Sequence, residues 1–263
     1  MEYCNEKLIN RYTVAMAMDP YLFAVPSIAA LAALALRKGY LTPRGAVSAT
    51  VVGSAVAVAH MGLFALLTFF FVTSSLFTKL KAQWKREMGL KDVAGRSLRQ
   101  VVGVGTPIAV FAVMYLATGD SKFLGASAVA VAVATADTWA SELGVAYGGV
   151  PRYILAPWRR VERGVSGGVT PVGTAASVAG AFAIALLSPL VGVGGPVVAI
   201  AALGYLGELL DSVLGATLQT KYICGGRITE TPSSGCVKRG FLSNEAVNLI
   251  TGIAMGLLYL AIV

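Results

Sequence analysis

The chain has 263 residues, 56% hydrophobic and only 13% charged, with a mean hydropathy of +0.74. Soluble domains run near a quarter charged, so these values exclude one, together with a disordered chain, a collagen and a disulfide-stapled secreted module. The net charge of +8 suggests nucleic acid until the charges are placed along the chain.

Residues 1–12 are polar and of mixed charge, with no cleavable signal peptide, and residues 1–19 read as a short extracytoplasmic segment. A bilayer span needs about 20 apolar residues. That ruler gives eight spans: 20–36, 45–60, 62–78, 100–118, 123–140, 169–188, 196–214 and 246–263. The fold class is all-α, a polytopic membrane helix bundle of about eight transmembrane helices forming one domain over 1–263. Longer connections fall at 37–44, 79–99, 141–168 and 215–245, all on one side of an even-numbered bundle. They hold 18 of the 21 Lys and Arg, leaving only Lys7, Arg11 and Lys122 elsewhere. The positive-inside rule therefore places these connections in the cytoplasm and both termini outside. The positive charge is mainly topology, so no nucleic-acid partner is expected. Membrane lipids are the surroundings, and assembly into a homo-oligomer stays open.

Thr50-Val51-Val52-Gly53-Ser54-Ala55 faintly echoes Thr170-Pro171-Val172-Gly173-Thr174-Ala175, and Thr73-Ser74 echoes Asp211-Ser212. The echo suggests two parallel four-helix halves. Cys224 and Cys236, with no neighbouring His, match no zinc pattern and read as two reduced loop thiols. His60 lies at a turn among apolar residues and reads as a capping or interfacial group.

Acids inside spans mark candidate functional sites, because burying them is costly. Asp137 and Glu142 close the fifth span; Glu208 and Asp211 close the seventh. The stripe Gly204, Gly207, Asp211, Gly215 turns Asp211 into the bundle. Asp137 and Glu142, five apart, diverge on a regular helix, so either the helix breaks there or they serve different partners. Together the four acids are a candidate Mg²⁺ site, with hydroxyls from Thr138, Ser141 and Ser212 beside them. Ser75, Lys79 and Lys81 close the third span, and Arg96 and Gln100 open the fourth. Such cations suit phosphate oxygens. The Gly/Ser/Thr stretch 164–174, with Ser166, Thr170 and Thr174, leads into a helix start whose N–H groups can face a phosphate. Walker and Rossmann patterns are absent from the sequence.

These stretches carry a resemblance. Ala134–Gly144, Ser74–Lys79, Arg99-Gln100-Val101, Gly168–Ser177, Leu209–Gln219 and Leu242–Asn248 are similar, in order, to an integral membrane family that includes plant phytyl-phosphate kinase of the vitamin E pathway. The family's usual asparagine-glycine turn after the glutamine-valine pair reads Gly103-Val104-Gly105 here. The resemblance implies phosphorylation of an isoprenyl monophosphate lipid to the diphosphate, with Mg²⁺ and a nucleoside triphosphate, CTP or ATP. It makes Asp137, Glu142 and Asp211 metal and phosphate-transfer residues, and Lys79, Arg96 and Gln100 phosphate contacts. Asn244 and Asn248, at i,i+4 on the last span, become polar partners. Alternatives are a lipid-phosphate nucleotidyl transferase, a secondary transporter of an anionic or lipid-linked solute, and a structural membrane protein.

Overall fold

Four helices start with the same local device. Thr42, Ser97, Thr170 and Ser243 each sit in extended backbone and accept a hydrogen bond from an N–H three residues on. Such N-caps satisfy donors that the first turn leaves orphaned, at about 1 kcal/mol each. They begin α2 (Pro43–Ala59), α5 (Leu98–Thr118), α7 (Pro171–Leu190) and α9 (Asn244–Ile262). The helices that arrive at this end are α1 (Val25–Arg37), α3 (Met61–Lys79), α6 (Lys122–Tyr147) and α8 (Val197–Thr217), with a short α4 (Ala82–Glu87) after α3. The computed structural model describes residues 25–87, 95–230 and 234–263. The segment 1–19, expected to be extracytoplasmic, the start of the first expected span and Lys91 lie outside them.

The all-α membrane bundle is as expected. Among the described residues six helices (α3, α5, α6, α7, α8, α9) are long and apolar enough to cross a membrane; α2 and the described part of α1 are apolar but shorter. The capped connections meet at one end of the bundle. Thr42 N–H donates to the Arg96 carbonyl and Arg96 N–H to the Tyr40 carbonyl, joining the α1–α2 and α3–α5 links. Lys81 Nζ donates to the Ala146 carbonyl at 2.8 Å, and Arg159 reaches the Gly226 carbonyl at 2.9 Å.

α6 stands in the middle, touching α3, α5, α7, α8 and α9. From Leu124 to Ala136 every residue is buried, and most are Ala, Val, Ser or Gly. A helix apolar on every face belongs inside, and small side chains let neighbours approach closely. On α8, a Cβ at Gly204 would lie 2.7 Å from Ala132 Cβ, and one at Gly207 would lie 2.3 Å from Val133 Cγ2. Gly204 and Gly207 are therefore the α8 contact with α6, and the stripe carries Asp211 inward as expected. Gly103 and Gly105 also lie inside a helix, α5, facing Glu245 and Val52, so no turn occurs there.

Four expectations need correction. α6 runs unbroken to Tyr147, so residues 141–147 are helix rather than connection. The remaining α6–α7 and α8–α9 connections are not plain loops either. β1 (Arg152–Tyr153), β2 (Ala156–Arg160) and β3 (Gly168–Val169) form one antiparallel sheet, ordered β2-β1-β3. β4 (Lys221–Cys224), β5 (Arg227–Thr229) and β6 (Val237–Arg239) form another, ordered β5-β4-β6. The second sheet overturns the reduced-thiol reading. Ile223 pairs with Val237, which lays Cys224 beside Cys236; the two are disulfide-bonded with Cα atoms 4.5 Å apart. Last, Thr50 lies mid-helix in α2 whereas Thr170 caps α7, so those strings are not equivalent. The structural counterpart of Thr170-Pro171-Val172-Gly173 is Thr42-Pro43-Arg44-Gly45, whose Thr likewise caps onto its Gly.

Gly207→Leu should lower the thermal unfolding midpoint in detergent, with overpacking costing about 1–3 kcal/mol. Gly194→Ala is the control, since nothing lies within 4 Å of a Cβ there. Equal midpoints for the two variants would contradict the close α6–α8 approach.

Candidate functional site

At 26 residues α6 is about 39 Å long, against an apolar slab of about 30 Å. Its last turns therefore project toward the end where the connections meet. There Asp137, Thr138, Ser141 and Glu142 line one cleft of roughly 90 Å³ that opens to solvent. Residues four apart stack on one helix face, so Asp137 lies above Ser141 and Thr138 above Glu142. These two adjacent rows let carboxylates five apart share a cleft on an unbroken helix.

The opposite walls come from other helices. α3 supplies Ser75, Thr78 and Lys79; the α3–α5 link and α5 supply Arg96 and Gln100; α9 supplies Asn244 and Asn248. Ten residues singled out from the sequence thus share one cavity: Ser75, Lys79, Arg96, Gln100, Asp137, Thr138, Ser141, Glu142, Asn244 and Asn248. Lys79 Nζ donates to the Gly39 carbonyl at 3.0 Å and lies over the Tyr40 ring. The Arg96 guanidinium stacks over Phe70, 4.9 Å from its centroid. Gln100 accepts from Ser97 N–H at 2.8 Å, completing a capping box while it lines the cleft. Ser75 is buried to 4% exposure, and its hydroxyl has no partner among the described residues.

Glu142 has its own cation, which the sequence reading treated only as a topological charge. Lys85, on α4, bonds a Glu142 carboxylate oxygen at 2.5 Å, and Thr78 donates to the other oxygen at 2.6 Å. Lys85 also points at the Phe77 and Thr78 carbonyls, closing the end of α3. The side chains of Lys85 and Glu142 are 4% and 13% exposed, so each charge depends on the other.

Glu208 and Asp211 are buried in α8 but do not line the cleft. Ser212 donates to Glu208 at 3.1 Å and Thr251 to Asp211 at 3.3 Å. Asp211 nevertheless feels the charges of both Asp137 and Glu208. The expected four-acid metal set is corrected accordingly: among the described residues, no three Asp, Glu, His or Cys side chains form a metal-holding group. Glu142 is occupied by Lys85, and Glu208 by Ser212. Asp137 and Asp211 are the pair whose mutual repulsion a divalent cation would relieve, and Mg²⁺ needs only one or two carboxylates besides phosphates and water.

The remaining expected phosphate contacts lie elsewhere. Lys81 sits over Tyr147, 4.1 Å from its ring centroid. Thr170 is committed to its cap, and Thr174 is exposed at the start of α7. The Ser166 N–H and hydroxyl both donate to Glu230, at 2.9 and 2.5 Å, and Gln219 joins them. The expected anion cradle at 164–174 is thus filled by the chain's own carboxylate. Beside it Lys221, 4% exposed, faces the Tyr153 hydroxyl, which donates to the Ala216 carbonyl. Burial pushes Lys221 down to about 8, against the pull of Glu230.

Fold and cleft together define the class: a polytopic bundle of membrane-spanning helices with a polar, cation-bearing cleft at the end where its basic connections gather. More particularly, the chain belongs to the family described as Integral membrane protein DUF92, which residues 26–256 match. Its relatives include an uncharacterized membrane protein of Methanocaldococcus jannaschii, 31% identical over 73% of each chain. Protein PGR of Arabidopsis thaliana is 31% identical over 71% of this chain and 76% of its own. An uncharacterized membrane protein of Synechocystis is 34% identical over 77% and 82%, respectively. A plant relative is among them, as the motif resemblance expected. No solved structure matches the chain.

Lys85→Met should destabilise the protein by about 3–5 kcal/mol, because it strands Glu142. Lys85→Met/Glu142→Gln should recover much of that loss in detergent unfolding; a double variant no more stable than the single would refute the pairing. The Lys221 cluster predicts a pH effect. Below pH 8 Lys221 is charged both folded and unfolded, and the burial penalty is present in full. Between about 8 and its ordinary 10.5 the unfolded state binds more protons, so stability rises with pH. Over pH 7.5–10, wild type should gain stability relative to Lys221→Met; parallel curves would show that Lys221 titrates normally.

Proposed function

We propose that the protein is a membrane-embedded kinase that transfers the terminal phosphoryl group of a nucleoside triphosphate to an isoprenyl monophosphate. The observation carrying this reading is the cleft, which gathers Lys79, Arg96, Asn244, Asn248 and the Asp137 face of α6 where the charged connections meet. An isoprenyl chain dissolves in the apolar slab while its phosphate rests at headgroup level, beside helix ends of this kind.

Phosphoryl transfer asks a protein mainly for positioning and charge neutralisation. An acceptor phosphate oxygen attacks the terminal phosphorus, the bond to the bridging oxygen breaks, and a nucleoside diphosphate leaves with that electron pair. The acceptor is already an anion, so no side chain has to deprotonate it. Lys79 and Arg96 bind and orient phosphate oxygens, and the Asn244 and Asn248 amides donate from the α9 wall. Asp137, with Asp211 behind it, would hold Mg²⁺, which neutralises phosphate charge when bound. Glu142, tied to Lys85 and Thr78, fixes α4 and α3 against α6 and so places Lys79; its role is positioning.

The test is incubation of the purified protein with geranylgeranyl or phytyl monophosphate, Mg²⁺ and each labelled triphosphate. The expected products are the lipid diphosphate and a nucleoside diphosphate. A nucleotide-linked lipid with released pyrophosphate would instead establish the nucleotidyl transferase, and the absence of any turnover would sink both. Asp137→Asn should lower turnover by roughly 10²–10³-fold with unfolding unchanged, the range for removing one preorganised charge contact. Lys79→Ala should mainly raise KM for the phosphate substrates. Wild-type rates in both variants would remove the cleft from the chemistry.

A further inference from the structure

One wall of the cleft is the link between α1 and α2, which the sequence reading treated only as a basic connection. It contributes Gly39 and Tyr40, next to Lys79, Gly95 and Arg96. The link takes its shape from the way α1 ends. Gly39 lies in left-handed backbone at φ +69°; its N–H donates to the Leu36 carbonyl, and the Tyr40 N–H donates to the Ala35 carbonyl. Those two bonds make a Schellman cap, which commits both N–H groups to the helix and leaves the Gly39 and Tyr40 carbonyls for other partners.

The partners are the two cations of the cleft. The Gly39 carbonyl accepts from Lys79 Nζ at 3.0 Å, and the Tyr40 carbonyl accepts from the Arg96 N–H at 2.9 Å. Gly95, at φ +92°, and Gly45, where a Cβ would lie 2.2 Å from the Arg96 carbonyl oxygen, let the two links come this close. Lys79 Nζ also lies over the Tyr40 ring, 5.6 Å from its centroid, within the range at which the negative face of a ring attracts a cation. Neither a carbonyl nor a ring cancels a charge. Among the described residues the Gly39 carbonyl is the one hydrogen-bond partner of Lys79, so two of its three N–H groups stay open to a ligand. Tyr40 therefore touches both cations, one through its ring and the other through its backbone.

We propose that Tyr40 is a positioning residue of the anion site: its ring holds the Lys79 ammonium at the rim beside Arg96, so that an incoming phosphate meets two cations already in place. This role rests on the phosphate reading above and names the residue that fixes the site's geometry. A loose lysine loses rotamer freedom when it binds an anion, and holding it over a ring beforehand removes part of that cost.

The test is equilibrium binding of inorganic diphosphate to the full-length protein in nanodiscs. Tyr40→Phe keeps the ring, Tyr40→4-cyanophenylalanine keeps its shape but drains the negative face, and Tyr40→Leu removes it. All three keep the backbone carbonyl on Arg96, so they report on Lys79. Tyr40→Phe should bind as wild type does, and the cyano and leucine variants about fivefold more weakly, the size of one ring–cation contact. In a Lys79→Met background the three should bind alike. Should Tyr40→Leu fold poorly, the cyano variant, matched in shape to phenylalanine, decides. Equal affinity of the phenylalanine and cyano variants would overturn the role of the ring and leave the phosphate reading standing. A difference between them that persists without Lys79 would also overturn it. A wild-type protein that does not bind diphosphate would reject the phosphate reading, and this role with it.

Discussion

The structure depends on how thin α6 is. Because Leu124–Ala136 are small and apolar on every side, five helices can pack around one. The closest approaches are Gly204 and Gly207 of α8 against Ala132 and Val133, and Gly180 of α7 against Thr135. A helix so enclosed can carry acids at its end without exposing them to lipid, since its neighbours supply the walls. The cleft is the consequence: where α6 outruns the apolar slab its residues become polar, and α3, α5 and α9 already stand around it.

Charge compensation is the second constraint, met locally at three of the acids. Glu142 takes Lys85 and Thr78, Glu208 takes Ser212, and Glu230 takes Ser166 and Gln219. These contacts also fasten the connections: α4 to α6, and the first sheet's connection to the second's. Asp211, by contrast, has a single hydroxyl contact from Thr251 and two acidic neighbours. The buried Asp211, with Asp137 near it, lies beside the cleft that presents Lys79 and Arg96. On that juxtaposition rests the view of this end as a phosphate and metal site.

Much of this was legible in the sequence, for physical reasons. Span positions follow from hydropathy, and the inward turn of Asp211 from its glycine stripe. Ten of the candidate site residues meet because polar residues at helix ends on one side of a bundle have few other places to go. What escaped depends on pairing across distance. Strands of two to five residues carry no periodic signal, so both sheets read as loops, and the register that brings Cys224 to Cys236 was invisible. Lys85 looked like any basic loop residue, because its burial against Glu142 requires α4 to fold back. Ser166 looked like a phosphate contact because its partner, Glu230, lies 64 residues away. The Thr-Pro-x-Gly start of α2 does match that of α7, but the sequence echo was aligned on the wrong threonine.

The most direct test of the central claim is a structure of the protein in a nanodisc with Mg²⁺ and a non-hydrolysable nucleoside triphosphate. The account predicts phosphate density in the cleft between Lys79, Arg96 and Asn244, with a metal peak on Asp137. Triphosphate bound elsewhere, or a cleft closed by the α3–α5 connection with no ligand in it, would contradict the account.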